Sequence, residues 1–339
     1  MKTQILNTTQ NDIQEAAALL RQGGLVAIPT ETVYGLAADA LNEDAICKIF
    51  EAKGRPQDNP LIVHIGDITQ LSTLCLEIPV WAGPIIERFW PGPLTLLLKK
   101  HAIVPDVVTC GLASVAVRFP SHPVAQQIIR AAGCPLAAPS ANVSGRPSPT
   151  TFSHVLEDLD GKIDAIVDGG PCAIGLESTV LDIRTRPPRI LRPGGVSVEA
   201  LREVSPDVCV DKAVYATLKE GETPISPGMK YRHYSPKAPV IIVRGEEAQV
   251  LSYIADHADE SSGVLCYDEN RSLFSCGFVL SYGAKTSKET LAQNLFDRLR
   301  RFDQLPVSVI YAQCPDDTGM GLAISNRLQK AAGFHIIDI

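Results

Sequence analysis

Two cations flank a glycine in KGRPQDNPL, residues 53–61, and Pro56 and Pro60 stiffen the chain that follows. Proline fixes φ and lowers the entropy lost when a loop is ordered, so Lys53 and Arg55 can be held ready for an anion. Lysine brings a point charge and arginine a planar fork, a complementary pair for phosphate oxygens. The same two side chains could equally cap the carboxyl end of the preceding helix in a solvated loop.

Other stretches carry related chemistry. PSANVSGRPSPT (139–150) follows the apolar LAA that ends at Ala138, and supplies Ser140, Asn142 and Ser148. Hydroxyls, a carboxamide and backbone amides can hold phosphate or ribose oxygens without adding negative charge, although a plain serine-rich turn has the same composition. PTETVYGLAAD (29–39) sets Thr30 and Thr32 at a strand end, and GLESTVLDI (175–183) and LRPGGVS (191–197) repeat the idea with Ser178 and Arg192. Arg118 lies in the apolar strand pattern SVAVRFP, where an unpaired guanidinium is costly to bury. Its partner is therefore a carboxylate, either a protein Asp or Glu or that of a substrate. His64 in LIVHIGD is open to the same choice between a packed core histidine and a ligand contact. The chain has no Walker A pattern, HExxH, GxSxG or strand-linked GxGxxG, and none of its cysteines sits beside a histidine in a nucleophile motif. GMG at 319–321 precedes a helical stretch and reads as a turn or an anion-binding helix start.

These side chains need an α/β framework. Apolar runs at LVAIPT, LIVHI, LTLLLK, SVAVRFP, LAAPSA, AIVDGG, STVLDI and RILRPG read as strands, with helices at 11–24, 43–52, 79–90, 122–132 and 151–158. The pattern lapses from about 205 to 239, a linker or a lid. Strand and helix then alternate to the end, which predicts a small Rossmann-like domain with a mainly parallel sheet. The expected domains are 1–205, a linker or active-site lid at 206–238, and 239–339. At 339 residues the chain is long enough for two cores. A net charge of −7 argues against wholesale coating of nucleic acid, which calls for a basic excess. Nine scattered cysteines without CxxC suit reduced, mostly buried thiols, and no apolar run reaches membrane-spanning length, so the expected location is the cytoplasm.

In order, PTETVYGLAAD, KGRPQDNPL, PSANVSGRPSPT, STVLD and LRPG resemble the YrdC-like domain of the L-threonylcarbamoyladenylate synthases. SPGMKYRHYSPKAPV and the tail ending GMGLAISNRLQKAAG are similar to the two-domain form of that family. The resemblance implies a large twisted mixed sheet joined by a long linker to the Rossmann-like domain. It implies condensation of L-threonine, bicarbonate or CO2, and ATP with Mg²⁺ into threonylcarbamoyl-AMP and pyrophosphate, handed to a downstream enzyme that modifies tRNA beside the anticodon. Lys53 and Arg55, with Ser140 and Asn142, would surround the phosphates and act as the catalytic cations. Thr32, His64, Arg118, Ser140 and Ser178 would surround L-threonine. Arg55, Asn59, Ser114, Ala138, Ser148 and Arg192 would contact ATP, and Tyr231 would reach in from a lid that includes residues 229–234. The rival reading is an RNA-binding module whose basic loops grip tRNA or double-stranded RNA.

Overall fold

A computed structural model describes residues 2–215, 233–275 and 277–339. Their contacts divide them into two units, each with its own sheet. The first takes in described residues of 2–144, 148–173 and 177–215, and the second those of 145–147, 174–176 and 233–339.

The strands of the first unit are β1 (Gln4–Leu6), β2 (Val26–Ile28), β3 (Gly35–Asp39), β4 (Ile62–His64), β5 (Leu94–Lys99), β6 (Ser114–Arg118), β7 (Leu136–Ala137), β8 (Ala165–Val167), β9 (Thr179–Asp182), β10 (Arg189–Arg192) and β11 (Cys209–Val210). They form one mixed sheet in the order β1-β8-β2-β3-β7-β4-β6-β5-β9-β10-β11. Helices Gln10–Arg21 and Pro123–Ala132 bury Ile13, Leu20, Ile128 and Ile129 against Val26, Ile28 and Leu136. Burying such apolar faces supplies most of the driving force for the layer.

The helix Glu43–Lys53 and its end account for the two cations of KGRPQDNPL. Asn42 caps its start by accepting from the Ala45 amide at 3.1 Å, and Gly54 ends it in the left-handed conformation at φ 57°. Glycine adopts that conformation without steric cost. Lys53 is therefore the last helical residue, turned inward and 2% exposed, while Arg55 begins the loop.

The second unit has five strands, β12 (Val240–Arg244), β13 (Ser262–Cys266), β14 (Phe278–Ser281), β15 (Val309–Gln313) and β16 (Ile336–Asp338). All pair in parallel, in the order β14-β13-β15-β12-β16. Helices Glu247–His257, Lys288–Phe302 and Gly321–Ala331 make the crossovers. Residues 145–147 belong here through the Arg300 guanidinium, which donates to the Pro147 carbonyl at 2.6 Å. Tyr234, from the segment read as a lid, packs at a tilt against Phe296 with ring centroids 5.0 Å apart and is 6% exposed, a core position in this unit. Residues 216–232, with Tyr231 and Met229, Lys230 and Arg232, lie outside the described residues.

Three details differ from expectation. The helix expected at 79–90 is a 3-10 turn at Val80–Ala82 followed by Gly83–Phe89, because Pro84 suits only a helix's first turn. Strands β1, β11 and β16 have two or three residues each, too few to show a period. The described cysteines are free thiols, but only Cys75, Cys172 and Cys266 are buried and Cys47 is exposed.

Gly194 shows how tightly the sheet edge is packed. A Cβ there would fall well inside contact distance of the Glu177 carbonyl and the Thr179 amide. Gly194→Ala should therefore push the start of β9 aside, costing roughly 1–3 kcal/mol in a denaturant titration, as overpacked sites do. An unchanged midpoint would mean that the two backbones have room to part.

Candidate functional site

Strand register brings three polar side chains into one row, and the residue before β9 adds a fourth. His64 is the partner of Arg118 across β4 and β6, and Arg118 is the partner of Thr95 across β6 and β5. Residues in register share a face of the sheet, so His64, Arg118 and Thr95 project together. The row continues to Ser178, just before β9, whose hydroxyl lies 2.7 Å from that of Thr95. Every member is at most 4% exposed.

Arg118 is the centre of the row. Its guanidinium is ion-paired with Glu31 at 2.8 Å and donates to the Thr32 hydroxyl at 2.8 Å. The strand arginine thus meets a protein carboxylate, the first of its two possible partners. Glu31 also accepts from the Ser121 amide at 3.1 Å, while its second oxygen, Oε2, is buried with no hydrogen-bond partner among the described residues. Burial alone would raise the Glu31 pKa, but the Arg118 charge and the hydrogen bonds from Arg118 and Ser121 outweigh it and hold the carboxyl below its ordinary value.

The neighbouring hydroxyls are oriented in sequence. Thr30 donates to the Val33 carbonyl at 2.6 Å, so at the 2.8 Å contact between Thr30 and Thr32 the proton comes from Thr32. With its proton used and Arg118 donating to it, the Thr32 oxygen can meet a ligand only as an acceptor. His64 Nδ1 faces the Ile62 carbonyl at 3.2 Å and therefore carries the proton, leaving Nε2 as an acceptor. Burial, and next the Arg118 charge, push the His64 imidazole down to about 3, so it is neutral at physiological pH.

A second cluster joins the two signature loops. The Lys53 ammonium donates to the Ser140 carbonyl and, at 2.6 Å, to the Asn142 carbonyl, while the Lys53 carbonyl accepts from the Ser144 amide at 2.9 Å. The 139–141 turn is laced to β3 by Leu36 N to Pro139 O at 2.7 Å and Ala141 N to Tyr34 O at 2.8 Å. Ser140, Asn142 and Lys53 thus stand together, with Ala138 directly after β7 and just before them. Arg55 folds back to donate to the Asn59 and Pro60 carbonyls at 3.1 and 2.9 Å, so it stiffens its own loop. Arg192 donates to the Ser178 carbonyl at 2.9 Å, and Ser148 donates to Glu177 at 2.5 Å. Ser114 and Arg118 occupy opposite ends of β6.

Residues 18–194 match the family model described as Telomere recombination, and residues 196–333 match the model Threonylcarbamoyl-AMP synthase, C-terminal domain. The chain is 50% identical to the Threonylcarbamoyl-AMP synthase of Bacillus subtilis (strain 168), across 99% of this chain and 97% of the relative. It belongs to the threonylcarbamoyl-AMP synthase family. The Threonylcarbamoyl-AMP synthase of Pyrococcus abyssi (strain GE5 / Orsay) is 48% identical across 96% of both chains. A crystal structure of P. abyssi Sua5 complexed with L-threonine is similar throughout, with a TM-score of 0.94, 46% identity, and coverage of 99% of this chain and 100% of that one.

For a threonylcarbamoyl-AMP synthase, three further residues of this site stand beside those that the motifs single out. Glu31, Glu177 and Thr95 are each buried and bonded to one of the expected site residues. Sequence reasoning missed all three. A signal existed for Glu31 and Glu177, because each carboxylate sits inside a motif, PTETV or GLESTV. Thr95 gave no local signal: only the β5–β6 register brings it to Arg118.

Two outcomes follow from the buried charges. Glu31→Gln removes one half of a buried pair and should cost about 3 kcal/mol in a urea titration, since Arg118 is left without its counter-charge. Because the folded Glu31 pKa is depressed, the pair's contribution is present above the unfolded value near 4.5 and is lost as pH falls below it. His64 also binds its proton more weakly when folded, so wild-type stability should decline as pH falls from 6.5 towards about 3. His64→Gln should flatten that decline; an unaltered slope would place the pH sensitivity elsewhere.

Proposed function

We propose that this protein condenses L-threonine, bicarbonate or CO2, and ATP into threonylcarbamoyl-AMP and pyrophosphate. The product would feed a downstream enzyme that modifies tRNA beside the anticodon, in the cytoplasm. The observation that carries this reading is the likeness to named synthases over nearly the whole chain, to 50% identity. No helix among the described residues is long and apolar enough to cross a membrane.

In this reading the row of buried polar groups receives the amino acid. Arg118 takes its carboxylate, and the Thr32 oxygen and His64 Nε2, both acceptors, take N–H or O–H groups from its amine and hydroxyl. A site that hydrogen-bonds a hydroxyl discriminates strongly against an analogue without one, so valine is a poor substrate. The threonine nitrogen bonds to the carbon of CO2 and gives up a proton, forming a carbamate. A carbamate oxygen then attacks the α-phosphorus of ATP, the α–β bridging P–O bond breaks, and pyrophosphate leaves.

Two anions have to meet in that step, so fixed positive charge is the main catalytic requirement. Lys53 and Arg55 supply it. Their hydrogen bonds to backbone carbonyls hold them in place before substrate arrives, which lowers the reorganisation needed during reaction. Ser140, Asn142, Asn59, Ser148, Arg192 and Ala138 line the nucleotide's path, and Ser114 marks its far end. Four steps along β6 separate Ser114 from Arg118 by about 13 Å at the usual strand rise, room for a nucleotide beside the amino acid. Tyr231 and residues 229–232 complete the proposal as a lid that excludes water from the labile intermediates, with Tyr234 as its anchor in the second unit.

ATP reactions of this kind use Mg²⁺, whose chemistry would be to neutralise phosphate charge. Among the described residues no three His, Cys, Asp or Glu side chains form a group that could hold a metal. These residues do not fit a protein-held ion, and no step here runs through one. Burial raises the Cys134 and Cys172 thiols to about 12 and Cys110 and Cys314 to about 11, which keeps these four protonated and poorly suited as nucleophiles.

The deciding measurement is pyrophosphate release with ATP and Mg²⁺, omitting L-threonine or bicarbonate in turn. Release should require both and should drop with valine. Lys53→Ala and Arg55→Ala should each lower the rate by about 10²–10³, as lost electrostatic donors do. Arg118→Ala should raise the KM for threonine more than that for ATP. Wild-type rates in both cation variants would remove Lys53 and Arg55 from the chemistry. No release, together with salt-sensitive tRNA binding, would favour the RNA-binding reading.

A further inference from the structure

The parallel sheet of the second unit changes its winding direction between β12 and β15. From β12 the chain crosses through Glu247–His257 to β13, beyond β15; from β15 it crosses through Gly321–Ala331 to β16, on the other side of β12. The loops that leave β12 and β15 therefore diverge. In open parallel sheets such a point leaves a crevice outside the carboxyl ends of the strands, where ligands bind. Here the crevice is a cavity of about 530 Å³, within the usual range for small-molecule sites.

Its inner wall has one committed donor. Gln313 closes β15 and is 3% exposed. Its Oε1 accepts from the Tyr267 amide at 3.1 Å and from Asn270 Nδ2 at 3.2 Å. Those two donors settle which way round the carboxamide stands, so Nε2 is the atom left for the cavity. Among the described residues Nε2 has no hydrogen-bond partner. Nε2 opens onto the cavity from a side chain otherwise held in the wall, so it is fixed as a donor for an acceptor oxygen on a ligand.

The mouth has the opposite requirement. Each of its cations already has a carboxylate: Arg244 pairs with Asp338 at 2.6 Å, Lys285 with Glu247 at 2.8 Å, and Lys288 with Asp316 at 2.5 Å. Glu246 and Asp317 also line the mouth, and neither carboxylate has an ion pair or hydrogen bond among the described residues. The surplus is thus two negative charges. Glu246 and Glu247 also stand at the cap and in the first turn of helix Glu247–His257, a position where other such folds hold phosphate. An anionic ligand is repelled and a cationic one attracted.

We propose that this crevice binds a small aliphatic amine that bears a carbonyl or carboxylate oxygen, as basic α-amino acids and their amides do. The oxygen accepts from Gln313 Nε2, and the ammonium groups face Glu246 and Asp317. Neither inorganic phosphate nor an acidic amino acid satisfies both ends.

The test is calorimetric titration of the full chain with L-lysine and L-lysinamide, against L-glutamate and inorganic phosphate as controls. Saturable binding of at least one of the two amines is expected, with no response to either control. The double variant Glu246→Gln and Asp317→Asn should weaken it by about tenfold or more. Gln313→Glu keeps an acceptor for the Tyr267 amide and Asn270 but removes the donor, and should abolish binding with the melting temperature preserved. Gln313→Leu is the second variant if that one fails to fold. Pyrophosphate release without added amine should be unchanged in the double variant. No binding of either amine, equal binding of L-glutamate, or affinity that survives both sets of substitutions overturns the assignment. Competition by L-threonine would overturn it too, by placing the amine in the first unit.

Discussion

The buried ion pair between Arg118 and Glu31 is the constraint around which the first unit is arranged. A guanidinium 4% exposed at the end of an inner strand is tolerable only if its charge is met. Glu31 meets the charge, and Thr32, itself oriented by Thr30, takes another N–H. The loop from Pro29 to Val33 is therefore committed to the end of β6. The same pair depresses neighbouring basicity: its positive member helps keep His64 neutral, so the row presents acceptors beside a cation.

The second commitment is Lys53. Its place as the final residue of a helix closed by Gly54 turns the ammonium inward, onto the carbonyls of Ser140 and Asn142. One side chain thus joins two loops 87 residues apart in sequence. Arg55, one residue beyond the glycine, instead braces the proline-bounded turn that carries Asn59. A KGR tripeptide divides its two cations between separate backbone anchors, and the division depends on the left-handed glycine between them.

The second unit solves a different electrostatic problem. Its all-parallel sheet leaves a crevice at its switch point, yet carboxylates stand at the start of the helix that follows β12, where a dinucleotide fold would receive phosphate. The GMG turn at 319–321 belongs to this arrangement: Gly321 packs against the Asp316 carbonyl so closely that no side chain fits, and Lys288 is drawn to Asp316 and Thr318. The turn is thus braced by Lys288. The unit's architecture and its chemistry therefore point to different ligand classes, and the side chains decide.

Much of this was legible in the sequence, because local physics is short-ranged. Apolar periodicity marked most strands and helices, proline and glycine marked the turns, and the order of the motifs marked the family. The cost of burying Arg118 in an apolar strand was enough to require a carboxylate partner. Which carboxylate was beyond reach, as was the use of Thr95, because Glu31 and Thr95 meet Arg118 only through strand pairings and loop returns across dozens of residues. The sequence by itself determined the elements, the breaks between them and the types of side chain available to phosphate and amino acid. The tertiary structure alone decided which charges neutralise one another, since pairing depends on register and distance, and these exist only once the chain has folded.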